Sequence, residues 1–314
     1  MISAQKLARS MKPVKDIRIW PKMGVSDLLN QLEESGGFSA RYLGMAHKIL
    51  KEMIEDKECL RFLSFVGAPI STGLRGVIVE AVKRRLFDII ITTCGALDHD
   101  IARSLKEYYN GDFRLDDEKL REDGYHRLGS VVIPLEAYGP AIEKFVQEAF
   151  ESAYQRGVRE VGSYEVARIL GERLNESSIL YWASRMNVDI FIPGIMDGAV
   201  GTQLWLFQQR HRDFRLNLFK DSEKISEHIF KARRTGALIL GGGISKHHVL
   251  WWNQFREGLD YAVYVTTACE YDGSLSGALI TEAISWMKVK PKARRVTVHG
   301  DVTIIAPLLL AAII

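Results

Sequence analysis

The sequence predicts an α/β protein: one doubly wound, mainly parallel sheet with helices on both faces, preceded by an N-terminal helical segment. Three observations carry that prediction. From residue 61 onward, short β-branched runs alternate with longer helical patterns; several runs are apolar throughout; and the loops after them are crowded with Gly, Ser, Thr and Asp. A strand covered on both faces has no polar side to present, so an unbroken apolar run marks a parallel strand between two helical layers.

The runs are "RFLSFV" (61–66), "DIIITT" (88–93), "SVVIP" (130–134), "VDIFIP" (188–193), "ALILG" (237–241), "YAVYVT" (261–266) and "RVTVHG" (295–300). Together they read as a Rossmann-like sheet. Residues 1–38 read as a helical extension and 39–314 as a single domain, with Ser26 and Ser39 as expected helix N-caps. The stretch 136–187 reads as helical, and "VTIIAPLLLAAII" (302–314) as a buried terminal helix, too short and too interrupted by Pro307 to span a bilayer.

At 314 residues, 47% hydrophobic and 26% charged, the chain can bury a large core without disulfides or structural metal. Its three cysteines, Cys59, Cys94 and Cys269, are scattered and form no CxxC pair, which points to a reducing, cytoplasmic setting. The formal charge is +3, and the clusters Lys83-Arg84-Arg85, Arg233-Arg234 and Arg294-Arg295 read as solvated helix or strand ends. Neither nucleic acid nor a membrane is expected as a partner.

Ligands of an open parallel sheet bind beyond the carboxyl ends of its strands. Here those ends read "GAPISTG" (67–73), "TCGALDHD" (93–100), "PGIMDGAVG" (193–201), "GGGISKHH" (241–248), "TTACEYDGSLSG" (266–277) and "GDVT" (300–303). Each alone fits an ordinary turn; as a set they favour a cleft. Gly241–Gly243 sit where a phosphate-cradling turn would, yet Lys246 stands where a dinucleotide fingerprint has its third glycine, so a plain tight turn fits as well. No nucleotide-hydrolysis loop and no zinc spacing occurs, and adjacent His247 and His248 point apart on a helix. His247 is the candidate for hydrogen bonding or proton transfer. Cys94 and Cys269 read as small packing residues, and Asp197 and Asp301 as helix caps. The many carboxylates near these loops, Asp98, Asp100, Glu270, Asp272 and Glu282 among them, suit a cationic ligand such as a polyamine.

The stretch "EAISWMK" (282–288) reads as the last two turns of a helix, with Glu282 and Trp286 four apart on one face. Lys288 then fits a solvated helix end. A lysine amine with pKa ~10.4 is neutral in only about one molecule in 2,500 at pH 7. A catalytic amine therefore needs desolvation, which Trp286 and apolar neighbours can supply.

The runs "LILGGGISKHH", "GLDYAVYVTTACEYDGSLSGA" and "EAISWMK", in that order and spacing, resemble deoxyhypusine synthase, and "FLSFVGAPISTGLRG" and "IIITTCGALDHD" resemble its earlier motifs. The likeness runs from about residue 40 to the end. It implies NAD-dependent transfer of the aminobutyl group of spermidine, through an imine on an enzyme lysine, to one lysine of translation factor 5A. That lysine closes the E-A-x-S-W-x-K motif and is Lys288 here, with His247 as its proton relay. By matched motif, Gly67, Ala68, Ser71, Thr93, Cys94, Gly95, Asp197, Gly242, Thr267, Ala268, Asp301 and Val302 would touch NAD. Asp98, His247, Gly273, Ser274, Glu282 and Trp286 would hold the polyamine. The family implies a homotetramer with active sites at a dimer interface.

The chain departs from the eukaryotic pattern. Asp98-His99 replace paired glutamates, and Thr202 and Leu275 replace two substrate-binding aspartates. These variants resemble the archaeal branch, in which anchoring would be shared among Asp98, Asp100, Glu282 and Asp272. A homospermidine synthase using putrescine as acceptor, and a non-catalytic NAD- or polyamine-binding paralogue, are the competing readings.

Overall fold

The computed structural model describes residues 12–314. It opens with two helices, α1 (Val25–Glu34) and α2 (Phe38–Glu55). On α2, Leu43, Ala46, Ile49, Leu50 and Met53 recur every three or four residues and are buried, so one stripe of the helix faces the core. Ser26 and Ser39 do not cap these helices. Gly24 and Gly37 hold the N-cap positions, and the Asp27 carboxylate at N3 reaches back to accept the Gly24 N–H (3.2 Å). Ser26 Oγ instead meets His47 Nε2 of α2 at 3.2 Å. Leu29 of α1 is fully buried in the main core, and the expected boundary at 38/39 falls in the first turn of α2.

The chain then alternates β1 (Cys59–Phe65), α3 (Leu74–Lys83), β2 (Ile89–Ile91) and α4 (Cys94–Leu105). An excursion follows: β3 (Tyr109–Asn110), α5 (Asp117–Glu122), β4 (Tyr125–Leu128), β5 (Val131–Pro134), α6 (Leu135–Gln155), β6 (Glu160–Val161), α7 (Ser163–Gly171) and α8 (Ile179–Met186). The remainder is β7 (Asp189–Phe191), α9 (Ala199–Arg210), β8 (Arg215–Leu216), α10 (Phe219–Lys231), β9 (Arg234–Leu240), α11 (Gly243–Asn253), β10 (Leu259–Thr266), β11 (Val289–His299) and α12 (Val302–Ala311).

Six strands form one parallel sheet in the order β11-β10-β9-β1-β2-β7. Successive residues alternate between two cores. Leu63, Phe65, Leu238, Leu240, Val263 and Val265 face one helical layer, whereas Phe62, Ala237, Ile239, Ala262 and Tyr264 face the other. Apolar side chains on both parities are why these runs read as unbroken.

Two strand expectations need correction. "SVVIP" is β5, but it pairs antiparallel with β3 and β4 in a separate small sheet. Only Gly129, at φ +61°, and Ser130 part it from β4, and so short a link can only fold a strand back, since parallel pairing requires a long crossover. β11 starts at Val289, six residues before the expected run. Its first half shifts register against β10 and carries Pro291, which an edge strand tolerates; Arg294 and Arg295 therefore lie within the strand and do not open it. α12 buries Ile305, Ala306, Leu309 and Leu310 and is capped by Asp301, whose Oδ1 accepts the Thr303 N–H at 2.7 Å. Among the described residues, no helix is long and apolar enough to cross a membrane.

The topology positions the site. From β1 the chain lays β2 and β7 to one side, then β9, β10 and β11 to the other, so the winding reverses between β1 and β9. Such a reversal is where an open parallel sheet ordinarily places a ligand crevice, at the carboxyl ends of its strands. Because all six strands are parallel, the six glycine-, hydroxyl- and acid-rich loops share that one edge.

Candidate active site

The stretch 282–288 is less helical than its spacing implies. It makes one 3₁₀ turn, Glu282–Ile284, and ends in a reversal: Lys288 N–H donates to Ala283 O (2.9 Å) and Met287 N–H to Ile284 O (3.0 Å). This pair of bonds is a Schellman ending, with Met287 left-handed at φ +56° where glycine is the usual occupant. Lys288 is therefore not a solvated helix residue. It leads directly into β11, and its carbonyl accepts the Leu259 N–H (3.1 Å) at the amino-end edge of the sheet, opposite the glycine-rich loops.

α11 bridges the two edges. It starts at Gly243 beside the crevice and runs back along the sheet, so Trp251 lies about 12 Å from the helix start at 1.5 Å per residue. The Lys288 side chain reaches back beside it. Its Nζ stands 5.7 Å from the Trp251 ring centre and 5.3 Å from that of Trp286. Between α11 and the segment 275–288 lies a groove of about 420 Å³, lined by Lys246, His247, Leu250, Trp251, Leu275, Ala278, Leu279, Glu282, Trp286 and Lys288 among others. Glu282 and Trp286 both line this groove, though not through α-helical spacing, because a 3₁₀ turn aligns residues three apart and this one ends before Trp286.

His247 stacks on Trp251 (5.8 Å, 21° between planes), and burial together with the Lys288 charge lowers its pKa, favouring the neutral ring at pH 7. His248 points away: its Nε2 accepts the Trp252 Nε1–H (3.1 Å), and burial pushes its pKa down to about 4. Only one of the two histidines is available to the groove, as adjacent helical positions dictate. Among the described residues, no three His, Cys, Asp or Glu side chains gather as metal ligands.

The residues matched to cofactor binding line the carboxyl edge. Gly67 precedes the 3₁₀ turn Ala68–Ser71, and its Cα hydrogens face the Gly95 backbone so closely that a Cβ there would stand 2.8 Å from the Gly95 carbonyl carbon. Thr93 is the N-cap of α4, Asp197 lies in the turn after β7, Thr267 and Ala268 follow β10, and Asp301 and Val302 begin α12. Gly241 and Gly243 take φ +81° and +69°, and Gly242 between them packs on Ser276 with no room for a Cβ. Asp197 is not the cap of α9: Gly198 holds that position, and the capping carboxylate comes from Asp98. Gly273 and Ser274 lie on an exposed turn held by the Asp272 carboxylate, beside the groove but outside its lining.

Asp98 corrects an expectation. Its carboxylate is wholly buried and accepts from Ala199 N (2.9 Å), Val200 N (2.9 Å) and Tyr138 Oη (2.9 Å), with the Cys94 thiol at 3.8 Å. Buried and taken up by these donors, it serves as a cross-element helix cap, where a ligand-binding carboxylate was expected. Asp100 is likewise committed, to Ser178 Oγ (2.7 Å), Ile179 N (3.1 Å) and Leu180 N (3.0 Å) at the start of α8. Burial raises the pKa of both carboxyls, against the pull of these donors, and burial likewise pushes the Cys94 thiol up.

Two groove residues escape sequence reasoning. Trp251 forms the second aromatic wall. Lys246 is 1% exposed, and its Nζ donates to Leu275 O (2.7 Å) and Ala278 O (2.6 Å). A signal was present: Lys246 shares a helical face with Val249 and Leu250, both buried, so a lysine there has to enter the core.

The family model for deoxyhypusine synthase matches residues 27–313. A relative from Thermoplasma acidophilum named "Probable deoxyhypusine synthase" is 52% identical over 301 residues, covering 96% of each chain. One of the same name from Ignicoccus hospitalis is 45% identical over 309 residues, again covering 96% of each. A crystal structure from Entamoeba histolytica that bears the deoxyhypusine synthase name superposes with a TM-score of 0.63 at 20% identity, covering 94% of this chain and 96% of that one. At that identity it speaks for the fold alone. The match across nearly the whole length, with relatives at 45–52% identity, shows that this chain belongs to the deoxyhypusine synthase family of transferases.

Proposed function

We propose that the chain moves the aminobutyl group of spermidine, by way of an imine on Lys288, to a lysine of translation factor 5A, with NAD as redox partner. The observation that carries this reading is the meeting of Lys288, Trp251, Trp286, His247 and Glu282 in one groove. A groove with aromatic walls and a carboxylate suits an aliphatic amine. Glu282 supplies the counter-charge, and the tryptophan faces attract a cationic methylene chain. Neutral His247 can take a proton from the attacking amine and return it when the carbon–nitrogen bond to the leaving amine breaks. The Lys288 nitrogen forms the bond that holds the four-carbon fragment between donor and acceptor.

The carboxyl edge fits a dinucleotide. The winding reverses between β1 and β9, and the left-handed glycines Gly241 and Gly243 bring bare backbone to the start of α11. Gly67, Ala68, Ser71, Thr93, Gly95, Asp197, Gly242, Thr267, Ala268, Asp301 and Val302 would hold it, with Cys94 contributing through its backbone because its thiol is turned to Asp98. NAD, when bound, supplies the oxidation that converts a spermidine amine carbon into an imine carbon, and the matching reduction after transfer. Trp286 and Trp251 are 63% and 43% exposed in the single chain, which supports a homotetramer whose dimer interface covers the groove.

The test is to incubate the protein with NAD and spermidine, reduce with borohydride and map the added mass. An aminobutyl adduct on Lys288, absent in Lys288→Ala, supports the reading; no adduct with NAD still bound favours a non-catalytic binder. Supplying factor 5A or putrescine then identifies the acceptor.

A further inference from the structure

We infer that Lys246 is a positioning residue that bolts the two walls of the groove together and so holds Glu282 and the glycine turn in register. This rests on the groove being the polyamine site. One wall is α11, which carries Lys246 and His247; the other is the segment 275–282, which carries Leu275, Ala278 and Glu282. Lys246 leaves the first wall and donates to two carbonyls of the second, Leu275 O at 2.7 Å and Ala278 O at 2.6 Å, while its ammonium stands 3.8 Å over the Tyr264 ring.

The segment between those carbonyls is fastened at several further points. Ser276 O accepts from Tyr264 Oη and Thr266 Oγ1, and Ser276 Oγ accepts the Gly243 N–H (3.2 Å). Ser276 also packs on Gly242 where a side chain would collide. Residues 275–278 therefore form a strap, attached at one end to the glycine turn and continuing at the other into the turn that bears Glu282. Among the described residues, Lys246 is the only side chain of α11 that donates a hydrogen bond to this strap, the other link from the helix being the Gly243 backbone N–H.

The energetics argue that the charge has a purpose. A lysine 1% exposed pays a desolvation cost that methionine of similar length would avoid, and burial lowers its pKa to about 8. Neither carbonyl is an ion, so the contact is not a salt bridge kept for its own sake. What it provides is direction: an ammonium fixed by two acceptors and a ring holds both walls at one spacing.

The experiment uses the full-length protein and two variants, Lys246→Met and Ser276→Ala. In folded Lys246→Met, amide hydrogen exchange across residues 273–282 should accelerate by about tenfold or more, a readout independent of any turnover. The spermidine KM should rise about tenfold while kcat changes less than about threefold, because Glu282 is displaced and Lys288 is not. In a double-mutant cycle with Glu282→Gln the two KM effects should fail to add. Unchanged exchange and KM in a folded variant overturn the inference, as does additivity with Glu282→Gln, which would mark a purely structural role. Should Lys246→Met not fold, Ser276→Ala decides: faster exchange over 273–282 with a smaller rise in KM supports the strap, and no change in either refutes it. Failure of the wild-type protein to form a Lys288 adduct would refute the polyamine reading, while the exchange result would still judge the strap.

Discussion

Two acid-bearing segments look alike in sequence and differ in the folded chain. The middle of α4 carries Asp98 and Asp100; the turn before β11 carries Glu282. The aspartates are buried and taken up by the N-termini of α9 and α8, whereas Glu282 is exposed and faces the groove. A carboxylate beside a helix N-terminus finds backbone N–H donors that have no partner within their own helix, and it is drawn into capping. One beside an aromatic groove has no such donors and remains free to meet a cation. Proximity to a glycine-rich loop therefore does not separate ligand-binding acids from architectural ones; the nearest orphan N–H groups do.

The contrast can be broken in several ways. Lys288→Ala should remove the trapped adduct and lower turnover by at least about 10³-fold with the fold intact, since among the described residues no second amine lies beside both Trp286 and Trp251 in the groove. A circular-dichroism spectrum beside the adduct assay checks both halves of that claim. Asp100→Ala should cost about 3 kcal/mol of unfolding free energy in urea titration, from three lost hydrogen bonds at about 1 kcal/mol each. Its mirror image is Glu282→Gln: the spermidine KM should rise about tenfold, with stability within about 0.5 kcal/mol of wild type. If Asp100→Ala left stability untouched, or Glu282→Gln unfolded the chain, the division between the two segments would be wrong. The smallest effect belongs to Met287→Gly. Relieving a left-handed non-glycine residue should raise stability by ~0.5–1 kcal/mol, read as a higher urea midpoint at constant slope.

Much of the fold was legible because its signals are local. Strands covered on both faces read as apolar runs, and the crowded loops after them fall on one edge because parallel strands end together. The terminal helix α12 was readable for the same reason. Ser26 and Ser39 failed as caps because glycine can stand at an N-cap, and a serine one residue inside a helix looks the same in sequence. "SVVIP" failed because four apolar residues do not name the sheet they join. The reversal at Met287 was hidden because nothing in "ISWMK" carries a glycine to announce it.

The sequence by itself determined the parallel sheet and the edge that carries the loops. Each follows from periodicity over a few residues, which neighbours along the chain settle. Only the tertiary structure decided that Asp98 is withdrawn into a cap, that Lys288 starts from the far edge and reaches its partners along α11, and that Lys246 ties the groove's walls. Those outcomes depend on donors and acceptors far apart in the chain: Asp98 and Val200 are 102 residues apart, and Lys246 and Ala278 are 32 apart. No local pattern encodes a hydrogen bond of that span; it exists once packing has brought the two groups together and removed the water that would otherwise have satisfied each.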